Sequence, residues 1–297
     1  MNTLDTHFHY DFLPPQARGP FLEQIAGHGV GIIAQTLTPS GFLDLEEAEH
    51  ARLAADASLT SATSVTSTTS VTAATPAAAP PLSVGYHPWY MTPDYGSELN
   101  VFADALSRTR FVGEIGLDFS PRRLEAVPAE LQMDILRQLF TILQGSESGA
   151  PTVLSIHTVR SASQVLDLAA SCGLDAAATI PVFHRFAGTS DELTRLIRAG
   201  GYISVSRQML ESKRGRAYVT QVPADRLLLE TDLPSEPASA DASAGPAADV
   251  AGALARGVAE ALRSTIGELA QLRGIEEAEL ASQIDHNTIR VFGADTR

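Results

Sequence analysis

Two histidines two residues apart, His7 and His9 in DTHFHYD, are the first residues able to do chemistry. In an extended strand a spacing of two places both imidazoles on one face, a geometry for two ligands on one cation. Taken alone, the pair suits hydrogen-bonded strand histidines equally well. Further along the chain, Glu114 lies in VGEIGLD, His157 in LSIHT, His184 in PVFHRF and Asp232 in LLLETD. His157, His184 and Asp232 end apolar runs, while Glu114 lies inside one. A carboxylate flanked by Val, Ile and Leu, as Glu114 is, is costly to bury unless something positive neutralises it. Four imidazoles and two carboxylates without a thiolate suit zinc, manganese, iron or magnesium. A catalytic ion must leave room for water and substrate, so this many ligands imply two divalent ions, with Glu114 the candidate bridge. A pair of ions of that kind holds a hydroxide near neutral pH and polarises a scissile bond, which is the chemistry of a metal-dependent hydrolase.

The elements that must position these residues follow from eight short β-branched runs: Thr3–His9, Gly31–Thr36, Leu82–His87, Arg110–Leu117, Thr152–His157, Ile180–Phe186, Gly201–Ser206 and Arg226–Thr231. Runs such as FVGEIGL and RLLLET are almost continuously apolar, as strands of a parallel sheet buried on both faces must be. Helical periodicity separates most of them, over Phe21–His28, Phe42–Ala55, Glu98–Ser107, Glu130–Leu143, Ala162–Ala170 and Asp191–Arg198. Strand and helix alternating in this way predict an α/β chain folded as a single (β/α)₈ TIM barrel spanning residues 1–297. The six candidate ligands then share the carboxyl-terminal mouth, where one backbone explanation for each of them separately becomes strained. After the last strand, Val250–Arg273 and Glu276–Ile284 read as helices and His286–Phe292 as a final turn closing the barrel.

Two stretches interrupt the alternation. Residues 57–81 are almost wholly Ala, Ser, Thr, Val and Pro, which predicts a low-complexity surface loop, with a lid over the site as the functional alternative. Residues 234–249, PSEPASADASAGPAAD, follow the eighth strand directly and are expected to border the substrate.

Composition sets outer bounds. The net charge is −14, with Lys213 the only lysine, so tight non-specific binding to duplex DNA is disfavoured unless arginines gather locally. Arg122, Arg123, Arg160 and Arg207 fall in or just past strand-end loops and could form such a rim, whereas strand alternation turns Arg185 away from the site. His87, in VGYHPWY, faces the same mouth, either to hydrogen-bond substrate or orient a ligand, or simply pinned by the His-Pro turn. One cysteine, Cys172, excludes an internal disulfide and a thiolate metal site. No stretch approaches the roughly 18 apolar residues of a membrane span, and the N-terminus does not read as an export signal, so a cytoplasmic enzyme without an obligate protein partner is expected. A glycine-rich phosphate loop and a GxSxG nucleophile elbow are both missing from the sequence.

DTHFHYD, GYHPWY, VGEIGLDF, LSIHT, FHRFAG, GYISVS, LLLETDLP and NTIRVFG resemble, in order and spacing, the signature blocks of the TatD-related DNases of the amidohydrolase superfamily. The resemblance implies a TIM barrel that cleaves DNA or related phosphodiesters with two divalent ions of zinc, magnesium or manganese. It implies His7, His9, Glu114 and Asp232 around one ion, and Glu114, His157 and His184 around the other. Asp232 would act as general base, Glu114 as the bridge, and His87 would lie near the substrate phosphate. Three departures stand out: Arg160 comes three residues after His157 rather than two, Arg185 replaces a common cysteine, and the loop after Asp232 lacks a basic segment. An ester, amide or lactone of a small molecule is the alternative substrate, and a non-catalytic barrel scaffold the alternative class.

Overall fold

The computed structural model describes residues 3–63, 77–146, 149–237 and 246–294, with the backbone alone for 59–63. Strands and helices follow in the order β1 (Thr3–Phe8), α1 (Pro15–Gly27), β2 (Val30–Ala34), α2 (Pro39–Thr63), β3 (Val84–Tyr86), α3 (Gly96–Ala105), β4 (Phe111–Asp118), α4 (Pro121–Ala126), α5 (Ala129–Gln144) and β5 (Thr152–Val159). Then come α6 (Ala162–Ser171), β6 (Thr179–His184), α7 (Ser190–Arg198), β7 (Tyr202–Val205), α8 (Arg207–Leu210), α9 (Lys213–Gln221), β8 (Leu227–Leu229), α10 (Ala247–Arg273) and α11 (Glu277–Phe292). Each predicted strand has its counterpart, within a few residues at either end.

All strand pairs are parallel and follow chain order, β1 with β2 and β3 through β8. Two seams complete the circle. Between β2 and β3, Ala34 N donates to Pro81 O at 2.9 Å and Ser83 N to Ala34 O at 2.8 Å. Between β8 and β1, Asp232 N donates to His7 O at 3.0 Å and His9 N to Leu233 O at 2.8 Å. The result is the TIM barrel, and the second seam is made by the residues that carry the candidate ligands.

Side chains fill the barrel in layers. Leu4, Ile33, Phe111, Val153, Val182, Tyr202 and Leu228 form an apolar plug sealed by Val291 and Phe292 from the end of α11. Hydroxyls of Thr6 and Ser204, 2.6 Å apart, and of Ser155 make a polar tier between the plug and the histidines. The larger apolar cluster packs the helices onto the outer face of the strands.

In β4 the register slips between Val112 and Ile115, so Gly113 and Glu114 together oppose Ser155 of β5. A bulge of this kind re-aims a side chain. Here it lets the Glu114 N–H reach Thr36 O at 3.1 Å across Gly85 of β3. A Cβ on Gly85 would fall 1.8 Å from Thr36 O and 2.6 Å from Glu114 N, so the approach requires glycine.

Several expectations are revised. Helix α2 runs through Thr63, so the first residues of the 57–81 stretch are helical rather than loop, no Gly or Pro interrupting 42–63. Residues 64–76, where a surface loop or lid is expected, lie outside the described residues, as do 238–245 of the loop after β8. Helix α10 already starts at Ala247 behind Pro246, inside the 234–249 stretch. The two closing helical segments are one helix, α11, because no Gly or Pro interrupts 277–292.

Candidate metal centre

Glu114 is 3% exposed and stands at the middle of five imidazoles. Its Oε1 is 2.6 Å from His157 Nδ1, 2.8 Å from His184 Nε2 and 3.4 Å from His87 Nε2. Its Oε2 lies 3.4 Å from His7 Nε2 and 3.7 Å from His9 Nε2. Asp232 closes the other side, with Oδ1 3.3 Å from His9 Nε2 and 3.6 Å from His7 Nε2. Ligand atoms of three groups come within 4.8 Å of one another: His7, Glu114 and His184; His7, His9 and Asp232; and His87, Glu114 and His157. All six side chains singled out as ligands therefore meet in one place, and His87 joins them. His7 belongs to β1 and His9 lies just past it, their rings 5.2 Å apart.

Each ring is held from behind. His7 Nδ1 shares a 2.8 Å hydrogen bond with Ser155 Oγ, and its ring stacks on that of His184 at 4.1 Å. His9 stacks on Phe12. His87 Nδ1 accepts from Trp89 N at 3.1 Å, so the turn does pin it, yet its other nitrogen faces Glu114. Two buried carboxylates were not singled out from the sequence: Asp118 Oδ2 lies 3.6 Å from His157 Nε2, and Glu230 Oε1 3.8 Å from His184 Nδ1. Glu230 sits in LLLETD, an apolar run, so the reasoning applied to Glu114 would have found it. Fully buried Asp5 anchors the backbone here, accepting from His7 N at 3.2 Å and Thr231 N at 3.0 Å.

Charge and burial oppose each other throughout. Burial pushes the Glu114 carboxyl up, but the surrounding imidazoles of His87, His184, His7 and His157 outweigh it and hold it well below the usual range. Asp232 is likewise lowered, its burial overcome by His9, His7 and His184. Burial would lower His184, yet the charge of Glu114 and its hydrogen bond raise it well above its ordinary value. His157 and His9 are raised in the same way, by Glu114 with Asp118 and by Asp232 with Glu114. His7 stays lowered by burial and by His184, and burial takes His87 down to about 4.

This donor set fits a divalent cation. His7 Nε2 is buried, has no hydrogen-bond partner, and faces carboxylate oxygens of both Glu114 and Asp232. Nitrogen and carboxylate oxygen without thiolate match zinc, manganese or magnesium.

Arg185 departs from expectation. Its φ of 45° breaks the alternation of β6, and Nη1 turns into the cleft to donate to Asp232 Oδ2. It helps line a cleft of about 390 Å³ together with Phe12, Trp89 and the histidines other than His7. Of the four rim arginines, Arg122 and Arg123 lie over the Trp89 ring, while Arg160 and Arg207 face solvent.

The profile of the TatD related DNase family matches residues 4–293. The chain belongs to that family. Relatives of this TatD-family chain include the "3'-5' ssDNA/RNA exonuclease TatD" of Musicola paradisiaca, 34% identical over 126 residues, 41% of this chain and 44% of that protein. The protein of the same description from Edwardsiella piscicida is 35% identical over 126 residues, 41% of this chain and 45% of its own length. The aligned part thus spans under half of these curated relatives. Among solved structures, a TatD homologue from Escherichia coli superposes with a TM-score of 0.66 at 24% identity, covering 98% of both chains. An uncharacterized amidohydrolase from Saccharomyces cerevisiae does so with 0.65 at 16% identity, over 98% of this chain and 100% of its own. The likenesses establish the barrel for this TatD-family member, and no helix among its described residues is long and apolar enough to cross a membrane.

Proposed function

We propose that this chain is a metal-dependent phosphodiesterase acting on single-stranded nucleic acid, in the manner that the relatives' description as 3'-5' exonucleases of ssDNA and RNA suggests. The observation that carries the reading is Glu114, buried within a ring of histidines and facing Asp232, in a chain of this family. His7, His9, Asp232 and Glu114 would hold one divalent ion and Glu114, His157 and His184 a second, of zinc, magnesium or manganese. Two such ions supply Lewis acidity and a nucleophile available at neutral pH.

The chain's own residues do the rest. Asp232 reaches the cleft with one oxygen toward the histidines and the other bonded to Arg185. A carboxylate so placed takes the proton of the attacking water as general base. Arg185, one hydrogen bond away, can leave Asp232 for a non-bridging phosphate oxygen, an acceptor its planar fork matches. His87, with little tendency to be protonated and with Nδ1 accepting from Trp89 N–H, carries its proton on Nε2 and donates one hydrogen bond at the substrate without adding charge. Ser155 and the carboxylates Asp118 and Glu230 keep the histidine rings in orientation.

The test is a substrate panel: single-stranded DNA, RNA, an aryl ester and a lactone, each with manganese and with chelator. Manganese-dependent release of nucleotides is the expected result. Rapid ester or lactone hydrolysis with both nucleic acids untouched would replace the phosphodiester by a small-molecule substrate, and no turnover of any would leave the barrel a scaffold.

A further inference from the structure

Four large apolar side chains stand exposed among the described residues, and two of them are adjacent at the lip of the cleft: Trp89, 40% exposed, and Tyr90, 46% exposed. The other two, Val250 and Ile289, sit singly on α10 and α11. Single exposed apolar residues are ordinary surface, whereas an aromatic pair beside a site calls for an occupant.

Trp89 is fixed as well as exposed. Its indole N–H donates to Asp118 Oδ2 at 2.6 Å and its backbone N–H to His87 Nδ1, so the ring is a rigid plate tied to the metal centre. Arg122 and Arg123 place their guanidinium carbons 5.2 and 5.8 Å from the ring centroid. Arg123 is only 9% exposed, and its Nε has no hydrogen-bond partner. A buried guanidinium N–H without an acceptor is costly, and an anion beside Trp89 would relieve it. An aromatic plate beside a guanidinium whose Nε–H lacks an acceptor matches the two halves of a nucleotide, its base and its phosphate. The net charge of −14 points the same way, because a strand cannot be held by the general field and must rely on a few local contacts.

We propose that Trp89, Tyr90, Arg122 and Arg123 form a nucleotide subsite, in which bases of a single strand stack on the two rings and the adjoining phosphate is held by the arginines. The proposal rests on the phosphodiester reading above. A duplex keeps its bases stacked on each other and offers no free face, so the subsite selects single strands.

Trp89 is the only tryptophan, and its fluorescence reports on this plate alone. The metal-loaded full chain is titrated with a short thymidine strand and an abasic strand of equal length, both phosphorothioate-linked to slow cleavage. The thymidine strand is expected to quench the emission and to bind about 5- to 100-fold more tightly than the abasic strand. With two arginines on the backbone, log affinity should fall with log salt with a slope of only about −1 to −2. Followed by the anisotropy of fluorescein-labelled strands, since the Trp89 variants contain no tryptophan, Trp89→Leu and Tyr90→Leu should each collapse the preference for bases, while Trp89→Phe, which keeps a ring and loses the indole N–H, should retain most of it. Equal affinity for the two strands, unchanged emission at saturation, or a preference surviving in both leucine variants would overturn the subsite. Para-nitrophenyl methyl phosphate, a diester with no base, separates the two claims. If it is cleaved while no preference for bases exists, the subsite alone is wrong; if it is not cleaved and no strand binds, the phosphodiester reading falls and the subsite with it.

Discussion

Glu114→Gln changes one oxygen for an amide nitrogen at the centre of the cluster and leaves the volume almost the same. Its effects on stability and on activity should separate. Removing one member of a buried ion pair usually costs about 3–5 kcal/mol, because the other charge is left behind uncompensated. Around Glu114 the partners within 3.7 Å are all imidazoles, and an imidazole can lose its proton rather than remain a stranded charge. The desolvation penalty of the carboxylate, which is 3% exposed, disappears at the same time. In chelator near pH 8 the variant should therefore lie within about 1–2 kcal/mol of the wild type, a few degrees in Tm. Activity depends on the cation the carboxylate would hold. Lewis-acid assistance is worth several kcal/mol, and at 1.36 kcal/mol per tenfold the loss in kcat should be on the order of a thousandfold. Thermal melts followed by circular dichroism, alongside manganese-supported cleavage of single-stranded DNA, measure both. A variant that lost 3–5 kcal/mol yet cleaved DNA at the wild-type rate would refute the reasoning, since Glu114 would then be a structural ion-pair partner and nothing more.

Arg185→Met should lower kcat/KM on a phosphodiester about 10- to 100-fold, the worth of one charge-assisted hydrogen bond, and steady-state kinetics identical to wild type would remove Arg185 from substrate contact. Asn287 is fully buried, with Nδ2 donating at 2.8 Å to both Ala224 O and Leu227 O, so Asn287→Ala should cost about 2–3 kcal/mol by urea denaturation while leaving the metal centre's geometry alone. Glu192 caps α7 and also accepts from Ser163 N and Oγ at the start of α6. Partial burial pushes its carboxyl up, but bonds from Ser163 and Thr189 outweigh it and hold it low. Its contribution is thus present above about pH 4.5 and lost as pH falls through the lowered value, so Glu192→Gln should flatten that part of the stability–pH curve; an unchanged curve would show that the bonds contribute nothing.

The positions of the strands were legible because burial on both faces forces near-continuous apolar runs, and the candidate ligands showed as polar residues interrupting or ending those runs. Glu114, His157, His184 and Asp232 could be picked on that ground, and His7 and His9 by their spacing of two in the first strand. Helix limits were less legible. Nothing in the composition of 57–63 separates a helix end from a loop, the short helices α4 and α8 carry too few turns for a period to emerge, and α9, KRGRAYVTQ, carries too few apolar residues.

Residue type and order thus determined the alternating architecture, the absence of thiolate chemistry and the six side chains able to meet a cation. Tertiary structure alone decided how they meet. Ser155 orients His7 from 148 residues away, and the bulge opposite Ser155 turns Glu114 into the cluster. A left-handed backbone at Arg185 reversed the side that alternation assigns it, and Asp118 gained both an imidazole and an indole as neighbours. These are long-range contacts and local backbone departures, and periodicity, which records only which face of an element is buried, carries no trace of either.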